Sequence, residues 1–572
     1  MSVLVLGGGI TGLAAAYELG KAGIPTILLE ASSRLGGKVA THRRDGFVID
    51  DGPDSFVAYK PAAVELCREL GIGDELISPQ EPRTVYVRAG GRFARLPDGM
   101  GLVLPTRLRP FVVTDLFTLR QKARMALDVL LPRELATDDV AVGAFLERRL
   151  GRAVVDRLAG PLIGGVYGTA IDQLSLDAVV PQLRDAERRH RSLLLASLAD
   201  GRARRRSDRK PGSPFVALRG GIGQLTETLA EAVLAMPSVE VRLSTPVVSL
   251  ATSAHGVEVS LDGSPGLRGD GAIVATPAGV AASLLENDAP AAAAPIRAIP
   301  HGSTAVVTLA YPPEHVPANL DGHGFLVADG EPLTIHACTL SSRKWADRAP
   351  EGWLLARAFV GDGAAAASWT DAELVAAAAR DLGATLGLRG TPAFTRVARY
   401  RGAMPHYTVG HLDRVAAATT ALAESPQVVL AGGAYRGVGL PDCIAQGRAA
   451  AGHLVQRLGG GTVNADARVA DTLVGDAEVD VAGDHVPSSQ LHVGELPLDE
   501  LPIGTPARVS AIAPAHAEEL AAEGIGPGSE VVLVARAPLG GPVVVRTGRA
   551  RVAVPGEVSA GVTVRPTSEP GP

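Results

Sequence analysis

Apolar and polar positions alternate differently in successive parts of the chain. Short apolar runs at Val3–Leu6 and Thr26–Glu30 flank a helical pattern at Leu13–Ala22, with a glycine turn before that helix. This order predicts a strand–helix–strand opening. From about Thr114 to Leu158 apolar residues recur every three or four positions, which predicts helices. A later strand, Val428–Ala431, leads into a second glycine-rich segment.

Two strand-rich blocks lie between these regions, and a helix is predicted over Asp371–Leu386. The predicted strands are Val239–Leu243, Val247–Leu250, Val257–Leu261 and Ala272–Ala275 in the first block, and Thr304–Tyr311, Gly324–Val327 and Leu354–Val360 in the second.

The pattern changes again after Leu458. Residues 459–490 are rich in Gly, Ala, Asp and Val and show no periodicity, which predicts a flexible linker. Short alternating runs return over 491–566 and predict a small β-barrel that folds alone.

Length and charge narrow the class of protein. A chain of 572 residues is expected to form two to four domains. Its 46% hydrophobic and 20% charged residues are typical of a globular protein. A net charge of -6 argues against non-specific nucleic-acid binding, which needs a basic surface.

The cysteines and the first residues bear on the compartment. Cys67, Cys338 and Cys443 are far apart, with neither a disulfide framework nor metal-ligand spacing, which fits a reducing compartment. The first strand begins at Val3, leaving no room for a signal peptide. No apolar run reaches the roughly 18–20 residues that span a bilayer. We therefore expect a cytoplasmic protein without a metal site.

The segment Gly101–Pro132 has two interpretations. It is apolar with interspersed Arg and Lys. Its helices either pack on a core or line an apolar pocket, or they form an interfacial helix pair. Membrane contact would then be peripheral at most.

The first glycine turn, Gly7-x-Gly9-x-x-Gly12, follows a strand and opens a helix, which is the context of a dinucleotide-binding turn. Glu30 ends the second strand, where a carboxylate can bind ribose hydroxyls. The alternative is a strand-end acid in water. This first motif does not separate FAD from NAD.

The later glycine segment suggests a flavin. Gly432 and Gly433 end a strand, Gly437 and Gly439 allow close backbone approach, and a helix is predicted from Gln446. Such a helix would point its N-terminus at the flavin pyrimidine, where negative charge develops on reduction. A glycine-rich turn of unknown use is the alternative.

Ordered motifs then resemble one family. Arg34–Lys38 is similar to the second dinucleotide signature of amine-oxidase-like flavoproteins, and Gly437–Ile444 closely resembles the signature of the oxygen-dependent protoporphyrinogen/coproporphyrinogen III oxidases of haem biosynthesis. Further segments similar to that family are Pro161–Ser175, Phe215–Leu225, Gly324–Val327, Thr339–Trp345 and Ala403–His411. The family's usual acid before Pro161 is missing, since Ala159-Gly160 stands there.

This resemblance, which covers roughly residues 1–458, implies a fold that is α/β and α+β. A Rossmann-like FAD-binding domain would interleave with a substrate domain, as in amine oxidases. The FAD-binding parts would be about 1–85, 214–285 and 395–458, and the substrate-binding parts about 86–213 and 286–394. The implied FAD contacts are Gly7, Gly8, Gly9, Ile10, Thr11, Gly12, Glu30, Lys38, Gly52, Pro53, Asp54, Ser55, Val247, Gly433, Val438, Gly439 and Leu440.

The resemblance also implies the reaction. Hydride passes from a porphyrinogen meso carbon to flavin N5, and oxygen reoxidises the flavin to give hydrogen peroxide. No catalytic side chain is expected, because the flavin supplies the chemistry. Coproporphyrinogen III, oxidised by six electrons to coproporphyrin III, is the preferred substrate by analogy with bacterial relatives that lack a membrane anchor. Protoporphyrinogen IX, an amine oxidase or carotenoid-type desaturase, and a flavin-bound iron or haem sensor or scaffold are the alternatives.

Three residues are candidates for the substrate pocket. The resemblance places an arginine at Arg83, where its guanidinium would bind a propionate. Tyr167 and Phe325 would form walls for the macrocycle, although each could be core. His406 and His411 are interpreted as loop or core residues without a role.

The last segment, 491–566, resembles the SH3-like FeoA domain, mainly through turn glycines and prolines in 501–504, 520–529 and 536–542. The resemblance implies a binding module. We predict that it docks a partner, either the ferrochelatase that uses the product or another haem-pathway protein.

Overall fold

The computed structural model describes residues 2–459 apart from 98–99, 102, 106–107, 134–137, 207–212, 254 and 362. Beyond them it describes 496–498, 501, 506–512, 520, 525, 527, 529–536, 543–547, 550–554, 559 and 562–566. The chain forms two compact units, Met1–Gly475 and Asp476–Pro572, and the division falls inside the predicted linker. From residue 460 that linker lies outside the described residues, so its bounds stay a prediction.

A five-stranded parallel sheet is the first layer of the larger unit. Its strands lie in the order Val239–Arg242, Thr26–Leu29, Val3–Leu6, Gly271–Val274 and Val428–Leu430. The central strand is fully buried: Val3 and Val5 belong to one core, and Leu4 and Leu6 to the core on the opposite face. A continuous apolar run is what a parallel strand covered on both faces requires.

Three helices pack on one face of this sheet. They are Ile10–Lys21, Gly223–Leu234 and Leu440–Arg457, and they share the core that contains Val3 and Val5. The last helix begins at Leu440, six residues before the predicted start at Gln446, because Pro441 fits the first turn. A Cβ at Gly447 would lie 2.2 Å from the carbonyl oxygen of Thr11, so the first and last helices meet backbone to backbone.

The second layer is a mixed sheet of seven strands. Six of them lie in the predicted substrate-binding parts, whereas Phe394–Pro405 lies almost wholly in 395–458, which was predicted as FAD-binding. The order is Phe394–Pro405, His301–Tyr311, Leu354–Val360, Ile335–Leu340, Gly324–Val327, Tyr86–Ala89 and Arg92–Arg95. Helix Asp371–Leu386 forms as predicted and packs on this sheet through Leu374, Ala378 and Leu382. Thr370 and Glu373 form a capping box at its start.

The predicted helical pattern of 114–158 is divided into several shorter helices. They include Leu119–Ala126, Val142–Leu150 and the π-helix Val155–Gly164, which contains Pro161. At the centre of this region Arg149 is fully buried with Asp128, 2.6 Å away, and Glu187, 3.3 Å away. None of the described helices is long and apolar enough to cross a membrane.

Smaller elements complete this unit. Its other strands are Thr41–Arg44, Phe47–Asp50, Phe56–Val57, Leu76–Ile77, Met100–Gly101, Leu104–Pro105, Phe215–Leu218, Val247–Ser253, Gly256–Leu261 and Ser264–Gly269. Its other α-helices are Pro61–Glu69, Leu108–Val113, Arg152–Val154, Gly165–Tyr167, Leu176–Val179, Pro181–His190, Leu193–Arg206, Ala278–Leu285, Pro290–Arg297, Ser341–Lys344, Gly363–Ser368 and His411–Ala421.

The C-terminal unit is a six-stranded antiparallel sheet around a small core. The strand order is Leu496–Pro497, Val562–Pro566, Pro506–Ile512, Glu530–Arg536, Val543–Thr547 and Ala550–Val554. Alternate residues such as Val531 and Leu533, Val543 and Val545, and Val562 and Val564 are buried together. The period-two pattern in the sequence therefore reflects a single apolar face.

The backbone contact at Gly447 gives a stability prediction. Gly447→Ala should lower the free energy of unfolding by about 1–3 kcal/mol, because the added methyl group overpacks the helix pair. Gly452→Ala in the same helix is the control, since a Cβ there meets no described atom within 4 Å. It should be neutral or stabilising by up to about 1 kcal/mol. Urea unfolding followed by circular dichroism measures both, and equal effects would contradict the prediction.

Candidate functional site

The first glycine turn forms a cradle at the end of the central strand. Gly7 has a φ of 104°, and a Cβ there would lie 2.8 Å from the carbonyl oxygen of Ala275. A Cβ at Gly12 would lie 1.9 Å from the carbonyl oxygen of Gly7, whereas Gly9 faces open space. No described side chain caps helix Ile10–Lys21, which starts after Gly9. Its first amides and the positive helix end therefore suit a diphosphate.

The second glycine pair packs on this turn. The amide of Gly36 donates to the carbonyl oxygen of Gly8 at 2.9 Å, and Gly9 and Gly36 form a parallel bridge. A Cβ at Gly37 would lie 3.1 Å from Cα of Gly9. Arg34 closes the segment by donating to the carbonyl oxygen of Gly37 at 2.6 Å. Both glycine motifs therefore shape one surface.

Glu30 lies where a ribose would be bound. One carboxylate oxygen accepts from the amide of Gly8 at 2.7 Å, and the other accepts from the amide of Ser32 at 2.8 Å. The amide of Thr245 donates to the Glu30 carbonyl oxygen at 2.9 Å, which brings strand Val247–Ser253 and its first residue near this acid. The carboxylate is fixed but keeps lone pairs for hydroxyl donors.

Thr276 is a candidate contact that the sequence reasoning missed. It follows strand Gly271–Val274, and its methyl carbon lies 3.4 Å from a Cβ added at Gly7. Its hydroxyl is buried without a hydrogen-bond partner among the described residues. An unpartnered buried hydroxyl beside the glycine cradle fits a polar group bound there.

Lys38 and Gly52 lie together on the next segment. The Lys38 ammonium donates to the carbonyl oxygen of Ala403, and burial lowers the pKa of this lysine. A Cβ at Gly52 would lie 2.4 Å from the carbonyl oxygen of Lys38. Gly52 is therefore needed for this close approach, and Lys38 provides a cation for an anionic cofactor.

The carboxylate of Asp54 is bound by other side chains of the protein. Lys344 donates to both carboxylate oxygens at 3.1 Å, Trp345 donates at 3.3 Å, and Arg357 lies 3.4 Å away. Although burial opposes ionisation, Lys344 and Arg357 hold the pKa of Asp54 well below its usual value. Of the predicted contact segment Gly52, Pro53, Asp54 and Ser55, the aspartate can therefore offer a cofactor only its backbone. Sequence reasoning missed Lys344 and Arg357, although Lys344 lies in a segment that carried the resemblance.

The late glycine turn, residues 432–439, leads into a second helix without a side-chain cap among the described residues. Gly432 and Gly437 have φ values of 135° and 99°. A Cβ at Gly437 would lie 2.5 Å from the carboxyl carbon of Asp442, so the turn leaves no room for another residue there. Gly439 precedes Leu440, the first helical residue.

The two helix starts face one region. A Cβ at Gly432 would lie 4.0 Å from the Thr11 hydroxyl, and a Cβ at Gly433 would lie 3.5 Å from Cys443 Sγ. The structure therefore brings together the predicted contacts at both ends of the chain. Two uncapped helix N-termini and a glycine cradle fit a flavin dinucleotide.

Tyr167, a candidate wall of the substrate pocket, lies near the late turn. Its ring lies 5.5 Å from that of Tyr407, whose hydroxyl is hydrogen-bonded to Gly433 and Gly437. Burial, then Asp442, raises the pKa of Tyr167, so the phenol stays neutral. Tyr407 was not assigned a role from the sequence.

Phe325, the other candidate wall, is almost fully buried. Its side chain is 2% exposed and belongs to the core of the seven-stranded sheet, where its ring lies 5.1 Å from that of Phe93. Strand Gly324–Val327 turns this residue towards that core, and a role for Phe325 as a pocket wall stays a prediction.

Arg83 is not joined to Tyr167 or the late turn by its described contacts. It forms an ion pair with Glu81 at 2.7 Å and stays partly exposed. Its neighbours Pro82 and Thr84 line an open cleft of about 380 Å³, together with His323 and Arg343. A role for Arg83 in binding propionate stays a prediction.

The comparisons with known proteins agree with this geometry. The family model for flavin-containing amine oxidoreductases matches residues 10–455, and the FeoA domain model matches 496–566. Coproporphyrinogen III oxidase of Propionibacterium freudenreichii subsp. freudenreichii is 43% identical over 82% of this chain and 94% of its own length. The Bacillus subtilis enzyme of the same name is 36% identical over 78% and 96%. Human protoporphyrinogen oxidase is 32% identical over 79% and 97%.

Solved structures share the fold. A candidate protoporphyrinogen oxidase from Exiguobacterium sp. 255-15 has a TM-score of 0.70 and 32% identity, over 80% of this chain and 99% of that chain. A putrescine oxidase has a TM-score of 0.57 at 18% identity, over 80% and 100%, which shows the fold alone. The predicted amine-oxidase-like fold with an SH3-like C-terminal domain is confirmed. The chain is therefore an FAD-dependent oxidoreductase of the flavin-containing amine oxidoreductase family, belongs to its coproporphyrinogen III and protoporphyrinogen oxidases, and carries a FeoA domain.

Proposed function

We propose that the protein oxidises coproporphyrinogen III to coproporphyrin III, with oxygen as electron acceptor and hydrogen peroxide as by-product, in the cytoplasm. The observation that carries the proposal is the site itself, in which two uncapped helix starts and a glycine cradle adjoin the Tyr167–Tyr407 pair. The relatives at 43% and 36% identity are coproporphyrinogen III oxidases, whereas the human protoporphyrinogen oxidase is 32% identical, which supports this substrate.

The proposed cofactor contacts divide by region. Gly7 to Gly12 hold the diphosphate, Glu30 binds ribose and Val247 contacts adenine through its backbone. Gly433 and Val438 to Leu440 lie along the isoalloxazine. Lys38 supplies a cation, and Gly52 to Ser55 contribute their backbone.

Bound FAD supplies the hydride acceptor, and the side chains bind, orient and exclude water. Tyr167 is the proposed wall, because its apolar ring faces Tyr407 beside the late turn. Arg83 is proposed to bind a propionate, since guanidinium and carboxylate match in geometry. The guanidinium forms an ion pair with Glu81 in this structure, and this pair would have to open before a propionate could bind.

The substrate is tested by the reductive half-reaction. Holoenzyme is mixed anaerobically with coproporphyrinogen III or protoporphyrinogen IX, and flavin bleaching is followed together with porphyrin fluorescence. We expect faster bleaching with coproporphyrinogen III, and peroxide when air is admitted. Faster reaction with protoporphyrinogen IX would overturn the assignment of coproporphyrinogen III as substrate and favour the activity named for the human relative. A holoenzyme that reacts with neither porphyrinogen would overturn the proposed function.

Peripheral membrane contact is proposed at an exposed apolar face. Val112, Val113, Leu119 and Leu130 are 61–83% exposed. Lys122 donates to the Val112 carbonyl oxygen at 2.7 Å, which joins helix Leu108–Val113 to helix Leu119–Ala126. Leu130 lies four residues after the second helix. Gly101–Pro132 contains five Lys and Arg against two Asp, and one of these, Asp128, is buried. An apolar face with surrounding cations suits an anionic lipid surface.

Vesicle sedimentation tests this contact. The protein should sediment with phosphatidylglycerol-containing vesicles and less with pure phosphatidylcholine, and added salt should weaken binding. Leu119→Glu with Leu130→Glu should reduce binding at least about tenfold, because two carboxylates replace the inserted side chains. Leu234→Glu is the control, since Leu234 is also exposed but lies on the helix Gly223–Leu234. Equal binding by all variants would contradict the proposal.

The FeoA domain is proposed to dock the ferrochelatase that uses the product. Its separation as a compact unit supports a binding module distinct from the oxidase. A chain ending at Gly475 should keep the oxidation rate and lose co-purification with ferrochelatase. Retention of both by the shortened chain would contradict this role.

A further inference from the structure

Tyr407 fixes the late glycine turn at two points. It follows strand Phe394–Pro405, and its side chain is buried. The hydroxyl donates to the carbonyl oxygen of Gly433 at 3.0 Å and accepts from the amide of Gly437 at 2.7 Å. One phenol therefore joins the start of the turn to Gly437, three residues before the helix begins at Leu440.

His411 fixes a third point. Its Nε2 donates to the carbonyl oxygen of Tyr435 at 2.9 Å, while its buried Nδ1 meets no partner among the described residues. Burial lowers the pKa of His411 to about 4, so the ring is neutral with its proton on Nε2. The rings of His411 and Tyr407 stack at 3.8 Å and 14°, so each holds the other in place.

These three contacts restrain the backbone that leads into helix Leu440–Arg457. Glycines in the turn offer little conformational restraint of their own. Without the three contacts, the turn that leads to Leu440 could adopt other backbone conformations. Water cannot easily replace the hydrogen bonds, because Tyr407 and His411 are both buried.

We propose that Tyr407 and His411 are positioning residues that hold the late turn, and with it the N-terminus of helix Leu440–Arg457, against the flavin. The inference rests on the proposed function, which puts the isoalloxazine beside this turn. The helix N-terminus stabilises negative charge that develops on flavin reduction. Tyr407 and His411 therefore set the affinity for FAD and the reduction potential of the bound flavin.

Tyr407→Phe keeps the ring and removes both hydroxyl contacts. We expect the dissociation constant for FAD to rise about tenfold, consistent with the loss of buried hydrogen bonds. The midpoint potential should fall by about 30 mV, which is a tenfold change for a two-electron couple. Equilibrium titration of apoprotein with FAD and anaerobic dye reduction of holoenzyme at saturating FAD measure the two quantities.

Tyr435→Phe is the matched control. The Tyr435 hydroxyl is buried and meets no partner among the described residues, and the substitution keeps the backbone carbonyl that accepts from His411. Both quantities should stay at the parent values. His411→Phe keeps a stacking ring, loses one contact and should shift both quantities in the same direction as Tyr407→Phe, by less.

The outcomes are separable. A Tyr407→Phe protein with parental FAD affinity and potential would overturn the inference, as would one that loses thermal stability with an unchanged potential. If Tyr407→Phe does not fold, His411→Phe decides, and a parental potential in that variant would overturn the inference. Failure of the parent holoenzyme to react with either porphyrinogen would instead count against the proposed function.

Discussion

The backbone contact between the first helix, Ile10–Lys21, and the last, Leu440–Arg457, is the constraint on which the site depends. Gly447 allows the last helix to approach the carbonyl oxygen of Thr11. Their N-termini consequently open onto the same region, although they are more than 400 residues apart in sequence. A side chain between them would separate the two helix ends and the partial positive charges that they carry.

Polar contacts of segment 38–55 connect the flavin part to the seven-stranded sheet. Lys38 donates to Ala403, Arg396 donates to Asp51 at 2.6 Å, and Lys344 and Arg357 surround Asp54. The buried guanidinium of Arg357 is tolerated here because Asp54 lies 3.4 Å away and the carbonyl oxygen of Gly52 accepts a hydrogen bond from it. This segment therefore contributes backbone to the proposed cofactor site and side chains to the joint between the two layers.

Local patterns predicted much of the fold. The apolar run Val3–Leu6, the helix Asp371–Leu386 and the alternation in the C-terminal strands all formed where periodicity placed them. Contacts between segments far apart in the chain could not be predicted from local patterns. Asp54 looked like a cofactor residue in the sequence, yet its carboxylate is used by Lys344 and Arg357, which are about 300 residues later. The sequence also did not show that the strand of Phe325 directs its ring into a core.

The sequence by itself determined the glycine cradle, the acid at Glu30 and the family, because these depend on short motifs with fixed spacing. Only the tertiary structure decided which side chains from other segments contact those motifs. Tyr407 and His411 received no role from the sequence. Their hydrogen-bond partners are backbone atoms of the late turn, and a sequence pattern does not show which backbone atoms a side chain will contact. Thr276 is similar, because only the fold sets its unpartnered hydroxyl beside Gly7.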